Sequence, residues 1–250
     1  VGVGAPRGSS LRIAGEDADG VVEAIRFLRE YNLRGSTKVG EKVVVIGGGN
    51  AAIDAARTAI RLGAKSVSIL YRRTRDEMPA YKEEIEEAEH EGVILQTLVS
   101  PAEIIVKDGR VTGVKCQRMW LGEFDRSGRR RPEASENNFV VEADQVIGAI
   151  GQSLDSKEIL DGTNVEMGLN RFIKVHPLTG QTSVDWIFSG GDAASGPSSV
   201  AEAVGAGERA AIGIDMHLTG ECHAFWRDEK QVDTDFDVDA DPVDYARAAM

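Results

Sequence analysis

Of 250 residues only two are cysteine, Cys116 and Cys222, and they stand far apart in the chain. No Cys-x-x-Cys occurs, which excludes a dithiol redox relay, and no Cys/His spacing suits a zinc site. Both thiols are expected to be ordinary ones in a reducing compartment. The four histidines, His90, His176, His217 and His223, are scattered, so no metal centre is expected. Apolar runs fall short of the roughly 18 residues a membrane span requires, so no span is expected and a cytoplasmic location is the default. Positive charge is scarce too. The 29 Lys and Arg against 41 Asp and Glu leave a net charge of −12, which argues against a nucleic-acid partner, whose phosphates call for a basic face. The acidity is uneven: residues 221–250 hold nine acids and three bases, hence −6 of the −12, and read as an acidic tail draped on the surface or laid against a basic partner.

What is abundant is glycine, 28 residues of it, alongside a hydrophobic content of 42%. That combination fits an α/β chain of one large or two interlocked domains. Residues 43–46 are a continuous apolar run, as in a parallel strand covered on both faces. A helix is expected over 50–62, stopping at Gly63, and a second strand over 66–71 completes a βαβ unit. A helix over 78–92, opening at Pro79, and a strand over 93–98 extend the sheet. From residue 102 to 142 the period becomes alternating, an antiparallel meander with a solvated polar tip at 126–131. A buried strand over 145–150 returns to the sheet. Helices are also expected over 20–31 and 198–218, with short strand pieces at 1–5 and 186–188 and a short helix at 243–250.

Gly47-Gly-Gly49-Asn50-Ala-Ala52 follows the first convincing strand and opens a helix, matching G-x-G-x-x-[GA]. Gly47 makes the turn, Gly49 lets backbone approach a pyrophosphate, and Ala52 allows tight helix–strand packing, while the helix N-terminus offers unpaired N–H groups. The end of the next strand reads Tyr71-Arg72-Arg73-Thr-Arg75, with no acid before Asp76. A carboxylate there would hold a ribose 2′-hydroxyl, whereas arginine suits a 2′-phosphate, so NADPH is favoured over NADH. A second feature, Ser189-Gly-Gly191-Asp192 followed by Ser198-Ser199-Val200, puts a carboxylate beside a helix start. By itself it fits a ribityl or phosphate contact and a structural turn equally well.

Together with Ala149-Ile-Gly151-Gln152, these motifs resemble the small (beta) subunit of NADPH-dependent glutamate synthase and its relatives, in the same order and from residue 1 to about 220. Ala14, where that family commonly has proline, is a small departure. The resemblance implies a Rossmann-like NADPH-binding α/β domain with a β-meander (residues 40–152), inserted into an incomplete FAD-binding α/β domain (153–220), with 1–39 as the crossover between them and 221–250 as the tail. It assigns Gly47, Gly49, Asn50 and Ala52 to the NADPH pyrophosphate and Arg72 and Arg73 to its 2′-phosphate. Gly151 and Gln152 join the cofactor-binding set. Gly191 and Asp192 go to the FAD ribityl–phosphate, and Ser199 and Val200 bring a helix N-terminus to the flavin ring. The implied chemistry is hydride transfer from NADPH to FAD, with no catalytic acid or base of its own, and electrons passing on to an iron–sulfur protein or a large catalytic subunit. Homo-oligomerisation stays open. The family's first FAD-binding strand, glycine loop and helix have no counterpart here, so Val1 is expected to be a cut inside the FAD domain, leaving FAD poorly retained. A non-catalytic NADPH-binding subunit or a nucleotide-sensing module is the alternative.

Overall fold

The computed structural model describes residues 1–124, 130–154 and 160–220. The expected acidic tail, the helix at 243–250, Cys222 and His223, and tip residues 126–129 lie outside them.

At the centre is a five-stranded parallel sheet in the order β2-β9-β3-β4-β5, formed by β2 (Val21–Glu23), β3 (Lys42–Ile46), β4 (Ser66–Tyr71), β5 (Ile94–Thr97) and β9 (Gln145–Gly148). Successive side chains of a strand face opposite ways. Val43 and Val45 therefore meet a helical layer with Val67, Ile69 and Ile147, whereas Val44 and Ile46 face the other side with Leu70 and Val146. Burying each such Val, Leu or Ile side chain contributes about 1.5–3 kcal/mol. The helical layer consists of α1 (Ala24–Arg34), α2 (Asn50–Arg61) and α3 (Lys82–His90).

The opposite face is covered by an antiparallel meander of β6 (Val99–Lys107), β7 (Arg110–Phe124) and β8 (Arg130–Glu142). Val99, Ile104, Val111, Val114 and Cys116 close this second half of the core. Burial pushes the Cys116 thiol up to about 11, so it is an inert packing group, as expected from the sequence.

The short strand expected at 1–5 does not form, the first strand pairing being at Arg7–Gly8, and two longer elements also differ from the sequence expectation. Val21 and Val22 do not begin a helix. They pair with Val146 and Ile147 as an edge strand, and the helix starts at Ala24, because adjacent β-branched residues find a ladder partner there. Residues 78–81 are likewise not helical. Met78 is extended, α3 begins at Lys82, and the intervening segment folds over the glycine turn.

α2 and α3 are tied by charge. Arg57, whose side chain is 15% exposed, meets Glu84, Glu87 and Glu91, and Arg61 reaches the same Glu91 at 2.6 Å.

A third cluster gathers Ala5, Leu154, Leu160, Phe172, Ile173 and Ala193. Beside it lie the short helix α4 (Asp192–Ser195) and the long helix α5 (Val200–Thr219). α5 rides close to the loop beneath it because the contacts are backbone: a β-carbon on Gly213 would stand 2.2 Å from the Thr179 carbonyl oxygen. Ile187 and Phe188 are buried, and Phe188 is bridged to Gln181 in place of the expected short strand. Val1 lies beside this segment, its amino group donating to the Phe188 carbonyl and its own carbonyl accepting from Ser189 Oγ at 2.9 Å. The segments that join this part to the sheet run side by side, since β1 (Arg7–Gly8) pairs antiparallel with β10 (Gln152–Ser153).

Candidate dinucleotide site

The chain runs from β3 outward through α2 to β4, then places β9 on the other side of β3, so the strand order reverses between β3 and β9. A crevice opens at the carboxyl ends of parallel strands at such a reversal. Here the strand ends are stitched together: Gly47 N–H donates to the Leu70 carbonyl at 3.1 Å and Ala149 N–H to that of Ile46 at 2.8 Å.

Two of the three glycines in the turn are required by the fold, each for a different reason, and the third is not. Gly47 has φ +152°, and a β-carbon on it would be 2.3 Å from the Ala149 carbonyl oxygen, so the turn can be made only without a side chain. Gly48 backs onto the ring of Tyr71, at 2.4 Å from a notional β-carbon. Gly49 has ordinary extended geometry at φ −92°, and the nearest atom to a β-carbon there is Pro79 Cγ at 3.9 Å. The fold leaves that space open. Among the described residues, the N–H groups of Gly49, Asn50 and Ala51 have no acceptor, while those of Ala52 and Ile53 donate to the Gly49 carbonyl. Open space in front of free N–H groups at a helix start is what a bound pyrophosphate requires. Ala52 is fully buried against the sheet, as close helix–strand packing demands.

The structure separates the two arginines that the sequence places together. Arg72 is exposed and, among the described residues, makes no hydrogen bond or ion pair. Arg73 is 8% exposed and points to the meander, its Nε donating to the Arg130 carbonyl at 3.1 Å. Both lie just past the end of β4 at Tyr71, and of the two it is Arg73 whose guanidinium is turned to the meander. Arg75 is engaged by Glu89 at 2.9 Å. Gly151, φ +124°, lies three residues beyond the end of β9 and accepts from Ser9 N–H, and Gln152 pairs with Gly8.

Asn50, read as a pyrophosphate ligand, uses its Oδ1 to accept the Tyr81 N–H at 3.0 Å. Neither that bond nor the Tyr71–Gly48 contact is visible from spacing alone. Only the requirement that a tyrosine ring pack against bare backbone hints at the second.

The other candidate residues form a separate group lining an open hollow with Val1, Gly4 and Phe188. Gly191 has φ +61°, and Asp192 Oδ1 accepts from Ser198 N–H and Oγ, leaving Oδ2 unused among the described residues. Ser199 caps α5, accepting from Glu202 N–H at 3.2 Å, and Glu202 returns the bond. Those bonds from the Ser199 N–H and hydroxyl hold the Glu202 carboxyl below the usual range. Val200 is 82% exposed at the rim.

Over 222 residues the chain is 44% identical to NADP(+)-dependent formate dehydrogenase subunit beta of Moorella thermoacetica, covering 87% of this chain and 31% of that protein. It is 38% identical over 230 residues to the glutamate synthase (NADPH) small chain of Escherichia coli (strain K12), covering 86% and 49%. The chain thus spans about a third to a half of the length of these curated relatives. Among solved structures, Mycobacterium tuberculosis FprA in complex with NADPH superposes with a TM-score of 0.72 at 18% identity, over 88% of this chain and 63% of that one, a likeness of fold. The pyridine nucleotide-disulphide oxidoreductase family matches residues 1–207, and with the glycine turn, the strand-order reversal and Gly191 to Val200 of the second hollow inside that span, the chain belongs to this family.

Proposed function

We propose that this chain is the nucleotide-handling part of a flavin-linked electron-transfer subunit, taking NADPH at the glycine turn and FAD at the hollow between Gly191 and Val200. The observation that carries the reading is the open space at Gly49, faced by three free N–H groups with Arg72 on the neighbouring strand end. Those N–H groups would hold the pyrophosphate, and the guanidinium of Arg72 the 2′-phosphate. Gly151 and Gln152, beyond β9, would complete the cofactor-binding set. Under this reading residues 40–152 form the NADPH unit, with 1–39 and 153–220 contributing to the FAD unit.

At the second site, Gly191 lets backbone approach the ligand, Asp192 Oδ2 is free to accept from ribityl hydroxyls, and the start of α5 at Ser199 and Val200 directs its dipole at the ring. When bound, the two cofactors supply hydride transfer from nicotinamide to flavin and release of single electrons. The chain contributes alignment, and no side-chain acid or base is required. The relatives' names describe subunits, which supports an onward acceptor in another chain; that acceptor would be an iron–sulfur protein or a large catalytic subunit, in the cytoplasm.

Titrating the protein with NADPH and NADH by nucleotide fluorescence tests the first site. Binding of NADPH in preference to NADH, with the preference lost in Arg72→Ala, is the expected result. Equal weakening of both dinucleotides by that substitution would overturn the assignment of Arg72. Reduction of an artificial dye by NADPH, dependent on added FAD, tests the second site, and dye reduction indifferent to FAD would count against it.

A further inference from the structure

Resting on the nucleotide site proposed above, we infer that Asn50 is a positioning residue whose carboxamide latches the segment after β4 onto the glycine turn, fixing the spacing between the two phosphate grips. That segment starts at Arg72 and ends at Tyr81, the residue capping α3. It is stiffened internally: Thr74 N–H and Oγ both donate to Glu77 Oε2, and the Tyr71 hydroxyl donates to the Glu77 carbonyl at 2.8 Å. Its far end is then tied to the turn twice, by Ala80 N–H to the Gly48 carbonyl at 3.2 Å and by Tyr81 N–H to Asn50 Oδ1 at 3.0 Å. Within it, Met78 and Ala80 are buried.

A backbone N–H can only donate, so it is the oxygen of the Asn50 amide that faces Tyr81. Position 50 therefore requires an acceptor. The pyrophosphate donors sit on the helix start and the 2′-phosphate cation on the segment, and both can grip one ligand only if their separation is held in advance. Cutting the latch loosens the segment, and Arg72 with it, while the N–H groups of α2 stay in place. The loss then falls on NADPH and spares NADH.

The test is the ratio of NADH to NADPH dissociation constants, measured on the full chain. Asn50→Ala lowers this preference by roughly fivefold to tenfold, the scale of one weakened charge-assisted bond. Asn50→Asp keeps an acceptor and keeps the ratio, even as its charge weakens both dinucleotides alike. Tyr81→Pro removes the donor at a residue whose φ of −62° a proline ring matches, and reproduces the loss, which covers the case of an Asn50→Ala protein that does not fold. A ratio unchanged in Asn50→Ala and Tyr81→Pro, or lost equally in Asn50→Asp, overturns the latch while leaving the nucleotide site standing. Failure of the unsubstituted protein to prefer NADPH overturns both.

Discussion

The ring of Tyr71 occupies the space that a side chain at Gly48 would need, with Cδ2 at 2.4 Å and Cε2 at 2.5 Å from a notional β-carbon. The ring cannot yield easily, because it is 8% exposed and its hydroxyl is held by the Glu77 carbonyl. Gly48 is thus fixed by packing, whereas nothing in the fold crowds Gly49 beside it, where the proposed pyrophosphate would lie. Gly48→Ala should destabilise the fold by about 1–3 kcal/mol, as overpacking does. Gly49→Ala should leave stability within about 0.5 kcal/mol, since nothing crowds the site, yet abolish dinucleotide binding. Thermal melts paired with NADPH titrations separate the two, and a Gly49→Ala protein that binds as well as the original would refute the pyrophosphate placement.

The arginine pair divides in the same way. Arg73→Ala removes a buried stem and leaves the Arg130 carbonyl without the donor it now has, so a loss of about 1–3 kcal/mol is expected. Arg72→Ala, at an exposed position, should cost less than about 0.5 kcal/mol. Urea unfolding of both variants measures this directly. Comparable stabilities for the two would mean that the Arg73 contact contributes nothing.

Acid should unfasten α3 from α2. Arg61 first, then Arg57, hold the Glu91 carboxyl below its ordinary range through hydrogen bonds. Its folded-state pKa lies beneath the unfolded one, so this stabilisation is complete above roughly pH 4.3 and disappears as pH falls through the folded value. Glu91→Gln should therefore be less stable than the original near neutrality and converge with it in acid. Parallel stability curves across that range would show that Glu91 is not a source of the pH dependence.

Much of this arrangement is legible in the sequence. The run from Val43 to Ile46, the turn at Gly47, the helix stopping near Gly63 and the strand ending at Tyr71 fall where periodicity and glycine chemistry put them. The parts that escape depend on contacts between segments. Val21 and Val22 read as a helical face until β9 offers a ladder, and Pro79 reads as a helix start until Gly48 and Asn50 take up the N–H groups of Ala80 and Tyr81. The division between Arg72 and Arg73 falls just past the end of β4, where strand alternation no longer applies, and it is made by the contact of Arg73 with the Arg130 carbonyl. What sequence could not supply was which of the two faces the meander.

The short ladder between β1 and β10 has a mechanical side. Arg7 lies opposite Ser153, Gly8 opposite Gln152, and Ser9 N–H is bonded to the Gly151 carbonyl, so both passages of the chain between the sheet and the third cluster are fastened to each other. Two separate strands could each twist on their own, whereas a hydrogen-bonded ribbon resists torsion and yields by flexing across its flat face. The sheet and the Asp192 hollow are thereby joined by one paired ribbon in place of two independent tethers.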